Sequence, residues 1–248
     1  MKGRKTMKKV FKMMLCLMMI FSLFGCGDKT TNDANTSQNQ SQITVLSVDT
    51  VDELEEKVLK DVEDTKTNLK QEQETLSKNI DTYEKYINNI DKIKAYYQKT
   101  IDETNQLGIR LREYSYQYAQ LVIQSNQTNK DKYKDLKGIY DCIYEDAGKD
   151  MYDIYEDIVK DMYDIYYDGI LKDAYQKVDY DEWYDVLSDD YDIWSDTLSE
   201  IYDLWSDMKS DIYDFQYDIR SEIYDNNMER VEKKMEEFKE DIFALKKK

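Results

Sequence analysis

The side chains able to do chemistry in this chain are mostly carboxylates. From Asp181 to Glu229 fourteen acids recur in steps of four, four and three, through Asp203, Asp207, Asp211 and Asp214, without a missing member. On a helix that spacing lines one side with carboxylates. Such a row can exchange protons, hold cations, or simply stay in water. Acid–base catalysis needs a carboxyl whose surroundings move its pKa toward the working pH, and an open row offers no such pocket. The sequence has no histidine, no glycine-rich phosphate loop and no metal-ligand spacing. The chain is therefore read as non-enzymatic, without cofactor and without a metal site. High-affinity calcium binding needs oxygens converging from a D-x-D-x-D-G type of loop, which the sequence lacks. Two expectations remain for the row: a solvated face, or a low-affinity surface for Ca2+ or cationic polymers and peptides.

The acids sit inside a repeat of eleven residues. "DMYDIYEDIVK" (150–160) precedes "DMYDIYYDGIL" (161–171), and four further lines, ending in "EIYDLWSDMKS" (200–210) and "DIYDFQYDIRS" (211–221), run without a gap from 178. Eleven residues are three helical turns plus a small rotation, so each column stays on nearly the same face. The apolar column runs Met151, Ile154, Ile158, Met162, Ile165, and later Ile201, Leu204, Met208, Ile212, Phe215, Ile219, Ile223. Trp183, Trp194 and Trp205 stand eleven apart on its flank. Tyr and Trp at this spacing are expected to cover the edges of a core, with the Tyr hydroxyls kept wet. A strip that stacks on glycans or peptides is the alternative. Like charges one turn apart oppose helix formation by roughly 0.2–0.5 kcal/mol each, so the apolar stripe needs a packing partner.

The remaining sequence supplies that partner. Thr50-Val51-Asp52-Glu53 fits a capping box and starts a helix. Leu76, Ile80, Tyr83, Ile87, Ile90, Tyr97 and Ile101 then mark a heptad seam, with Lys94 as an interruption and Thr104, Gly108 and Ser115 as weak points. "QSNQTNK" (124–130) reads as a turn. The first helix is expected over 51–124, about 110 Å at 1.5 Å per residue. Between 171 and 178 the phase of the repeat slips, which allows either a turn near 172–180 or an unbroken helix with a rotated seam. After Ile223 heptads return through Met228, Val231, Met235, Phe238, Ile242 and Leu245. The absence of Pro and the seven Gly agree with long helices and few turns. The fold expected is all-α: an elongated antiparallel bundle or coiled coil with helices near 51–124, 130–171 and 179–246. Whether its seams close within one chain or between chains is left open by the pattern.

The N-terminus has a different character. Lys2, Arg4, Lys5, Lys8, Lys9 and Lys12 precede "MMLCLMMIFSLF" (13–24), an apolar stretch shorter than the roughly 20 residues a membrane span needs. This is the pattern of an export signal. It ends in Leu23-Phe24-Gly25-Cys26, which resembles the lipobox of bacterial lipoprotein precursors. The resemblance covers residues 1–26. It implies a signal peptide over 1–25, acylation of Cys26 as the mature N-terminus, and a membrane anchor on the extracytoplasmic face. Residues 26–50 would then hold the anchor and a polar tether, "GDKTTNDANTSQNQSQ" (27–42). Removal of the six basic residues would take the net charge from −18 to −24, which repels phosphate and excludes nucleic acid as a partner. A protein partner is compatible with that charge. The eleven-residue lines also resemble the lipid-lying helices of apolipoproteins, but Asp at the flanks is the wrong sign for an anionic bilayer. Cys142 falls in a column that elsewhere holds Asp and is expected to be a neutral replacement, with an intermolecular disulfide or reactive thiol as the alternative.

Overall fold

The computed structural model describes residues 48–247. The expected signal peptide, Cys26 and all but the end of the tether lie outside the described residues. Among those described, the chain is all-α, with no strand. Helix α1 (Val51–Asn79) starts where expected, with the Thr50 hydroxyl accepting from the Glu53 amide at 3.3 Å. The Glu53 carboxylate reaches back to the Asp49 amide at 3.2 Å, one residue earlier than a standard capping box.

The helix expected over 51–124 is two helices. Helix α2 (Tyr83–Gln124) follows a three-residue connection in which the Ile80 amide closes on the Ser77 carbonyl and Thr82 caps the new helix through the Lys85 amide. No Pro or Gly marks this break. Buried Ile80 plugs the corner, so an apolar residue that fits the heptad phase serves as the turn. Beyond the corner Tyr86 and Ile93 are buried, while Lys94 faces water. The small residues of the seam are buried. Thr100, Thr104 and Ser115 return their hydroxyls to carbonyls one turn earlier, and a Cβ on Gly108 would touch Met151 and Met208 from two different elements.

The middle segment, 129–174, alternates between two hydrogen-bonding schemes. It runs α3 (Asn129–Asp135), π1 (Ile139–Ala147), α4 (Gly148–Ile154), π2 (Tyr155–Val159), α5 (Lys160–Tyr163), π3 (Asp164–Leu171) and α6 (Lys172–Ala174). Its main buried row is Ile139, Ile143, Ala147, Met151, Ile154, Ile158, Met162 and Tyr166. Steps of four dominate, and a regular α-helix would rotate such a row out of the core. A π turn takes more residues than an α turn, which brings the row back. The same widening replaces the expected Ile165 with Tyr166 in the core.

The chain breaks at 175–179, and Asp179 caps α7 (Tyr180–Tyr224) by accepting from the amides of Asp181 and Glu182. The helix expected over 179–246 is also two. Asn226, at φ 59°, adopts the left-handed conformation, which Asn tolerates better than most residues. Its amide bonds to the Ile223 carbonyl and that of Asn227 to Glu222, the Schellman arrangement that ends a helix. Asn227 then caps α8 (Met228–Leu245) through the Arg230 amide. The heptad residues Val231, Met235, Phe238 and Ile242 are buried.

The expected three-helix bundle is thus one of five rods running alternately up and down. α2, the middle segment and α7 form its centre, with α1 against α2 and the middle segment and α8 against α2 and α7. At one end Phe215 stacks on Phe238 at 3.9 Å, and at the other Tyr86 packs on Tyr166 at 5.6 Å. Between α1 and α2, Arg110 pairs with Asp61 at 2.7 Å. None of the described helices is long and apolar enough to cross a membrane.

Candidate functional site

The acid row lies along α7 from Asp181 to Glu222; Asp225 is the C-cap of that helix and Glu229 falls in the first turn of α8, so the break at 225–227 ends the single-helix row that the spacing predicts. Twelve of its fourteen members are exposed, and Asp218 and Glu222 are half-buried. Bases meet it only over its C-terminal half. The Arg112 guanidinium, 7% exposed, donates to Asp211 at 2.6–2.8 Å and to the Gly108 carbonyl at 3.2 Å. Lys234 and Arg230, near the start of α8, pair with Asp218 at 2.9 Å and Glu222 at 3.3 Å. Among the described residues no three His, Cys, Asp or Glu side chains converge as a metal ion requires.

Beside the acids, Tyr180, Tyr184, Tyr191, Tyr202, Tyr213, Tyr217 and Tyr224 of α7 are exposed. Tyr191, Tyr202, Tyr213 and Tyr224 are eleven apart, so the repeat sets an aromatic column next to an acidic one. The tryptophans face inward over the middle segment. Trp205 Nε1 donates to the Gly148 carbonyl at 2.8 Å and Trp183 Nε1 to the Leu171 carbonyl at 2.6 Å. Gly148 directly follows π1 and Leu171 ends π3. The chain seats two of its own α7 cations on half-buried tyrosines of the middle segment, not on this exposed column. Lys209 Nζ lies 3.9 Å from the Tyr144 ring centre, and the Arg220 guanidinium 4.4 Å from that of Tyr133. Each pair is displaced from the other by one repeat.

One acid departs from the pattern. In "DDYDIWSDTLS" (189–199) Asp190 occupies the column that holds Ile201, Ile212 and Ile223 in later lines. It is 0% exposed. The Tyr86 hydroxyl donates to its Oδ1 at 2.5 Å, while Oδ2 has no partner. Burial pushes the Asp190 carboxyl up to about 6, against a smaller lowering by the Tyr86 hydrogen bond. The Tyr97 hydroxyl, on the same face of α2, is likewise buried and without a partner. Counting acids along the exposed row passes over Asp190, but aligning the repeat lines column by column exposes it. Of the phenols that face it, Tyr97 belongs to the expected heptad seam, whereas Tyr86 falls outside that series.

Cys142 is buried and free, and burial pushes its thiol up to about 12. A thiol of that kind is not a ready nucleophile, so the neutral-replacement expectation fits its surroundings better than the reactive one. Cys26, the one residue singled out for modification, lies outside the described residues. The chain matches no known protein family, no curated protein and no solved structure.

Proposed function

We propose that this protein is a lipid-anchored helical scaffold, held on the extracytoplasmic face of a cell membrane through Cys26 and presenting α7 to a protein partner. The observation that carries the anchoring is the run from the basic N-terminus through "MMLCLMMIFSLF" to Leu23-Phe24-Gly25-Cys26. The presenting role rests on the exposed tyrosine and carboxylate columns of α7. Tyrosine supplies contact area at little entropic cost and is enriched where proteins meet. No catalytic role is assigned: the exposed carboxylates are spread along a helix, and Asp190 is sealed in the core.

A second reading is favoured by the seating of Lys209 and Arg220 on tyrosine rings. By analogy with those internal pairs, the exposed tyrosine and carboxylate columns of α7 would take cationic peptides or polymers weakly, through cation–π contact and long-range attraction. With no convergent acids, calcium is the weaker form of that reading.

Replacing Cys26 with Ser tests the anchor. The variant is expected to move from the membrane fraction to the soluble fraction or medium and to lose incorporation of a labelled fatty acid. Retention of both membrane association and label would refute it.

A further inference from the structure

The element left over by the scaffold reading is Asp190. A carboxyl in the apolar column of a 45-residue helix has a cost that depends on its charge. As a neutral acid it is a small polar group with one hydrogen bond. As an anion it is a charge in the core with one donor and one bare oxygen, which is far less favourable.

The surroundings offer nothing to offset that charge. From α2, Tyr86 and Tyr97 face Asp190, and from π3, Tyr166. From α1, Ser77 reaches only as far as the Tyr166 hydroxyl, at 3.5 Å. Burial raises all three phenols, so they stay neutral wherever Asp190 titrates. On α7 itself Asp189 points into water. No cation bears on the carboxyl; its own burial and the Tyr86 hydroxyl set its affinity for a proton.

The local packing makes this charge matter. N-terminal to Asp190, α7 has no fully buried residue, and from 190 to 200 only Asp190 and Thr197 are buried. The tie between Asp190 and Tyr86 therefore stands among half-buried neighbours such as Val186, Ile193 and Trp194 rather than among fully buried ones.

We propose that Asp190 is a proton-binding latch, which seats the N-terminal third of α7 on α2 when protonated and loosens it when ionised. The device is independent of lipidation and of any partner. Its ligand is the proton, and its direction is opposite to that of a salt-bridged carboxylate. The folded state holds the proton more tightly than the unfolded chain, so stability is full below the ordinary Asp range. It falls as pH rises toward and through the folded-state value. Freed of the latch, the segment carrying Tyr180, Tyr184 and Tyr191 gains mobility at neutral pH.

Two measurements on the full chain, made in detergent, test this. In carboxyl-carbon NMR, Asp190 is expected to titrate near pH 6, well above the exposed acids of the row. In thermal melts, the parent should lose about 5–9 °C between pH 4 and pH 7 relative to Asp190→Asn. That comparison removes the contribution of the exposed acid row, which is common to both proteins. Titration of Asp190 below pH 4.5, or parallel pH profiles for parent and variant, would overturn the proposal. If Asp190→Asn does not fold, the NMR titration alone decides.

Discussion

The two halves of α7 are written in nearly the same eleven-residue lines and are held in different ways. From Ile201 to Ile223 the inward column is apolar, α8 covers one flank, and Arg112, Lys234 and Arg230 meet the acid row. From Tyr180 to Glu200 the inward column contains Asp190 and Thr197, and none of the acid-row members there has an ion-pair partner among the described residues. The difference arises from two polar replacements in the inward stripe, Asp190 where later lines have Ile201, Ile212 and Ile223 and Thr197 where they have Met208 and Ile219, and from what packs alongside, not from helix propensity. A repeat fixes the face that each residue occupies, whereas stability depends on what fills that face.

The comparison can be broken most strongly in its well-packed half. Ile212→Ala removes a fully buried side chain and should cost about 2–5 kcal/mol in denaturant melts. A loss below 1 kcal/mol would mean that this half is not the stable one. In the other half, Asp190→Asn removes the charge and keeps an acceptor for the Tyr86 hydroxyl. At pH 7 it should stabilise the fold by roughly 3 kcal/mol, corresponding to the rise of Asp190 from 3.8 to about 6 at 1.36 kcal/mol per unit. The gain should shrink toward zero at pH 4, where the parent carboxyl is neutral. Arg112→Ala leaves the Gly108 carbonyl without this donor and Asp211 without its base. Because Arg112 is buried and Asp211 half-exposed, a cost of about 1–3 kcal/mol is expected, largely retained in high salt. The smallest effect belongs to the exposed row. Asp203→Asn with Asp207→Asn removes like-charge neighbours and should raise stability by a few tenths of a kcal/mol for each pair lost, an increment that salt abolishes. A calcium-specific stabilisation lost in the same double variant would favour the cation-binding reading.

Much of this architecture was legible in the sequence because burial follows periodicity. The turn at 124–130 is a polar run that interrupts the seam, and the capping residues Thr50 and Asp179 sit where the periodic segments begin. The break at 80–82 was hidden because Ile80 satisfies the heptad phase whether the helix continues or folds back. The break at 225–227 rests on Asn226 and Asn227, a weaker mark than Gly or Pro. The π turns were not legible, since a spacing of four fits either hydrogen-bonding scheme until neighbouring helices select one. At the candidate site, the acid row and tryptophan column followed from spacing. Asp190 required comparison between lines, and its meeting with Tyr86 and Tyr97 required the tertiary fold.

The central claim, that one continuous helix has a loosely held N-terminal third and a firmly held remainder, is tested most directly by residue-resolved amide hydrogen exchange at pH 7. Local opening free energies track the buried contacts that hold a segment. Amides of 184–197 are expected to exchange at least tenfold faster, after correction for intrinsic rates, than those of 205–223. Uniform protection along α7, or greater protection around Asp190, would contradict the account.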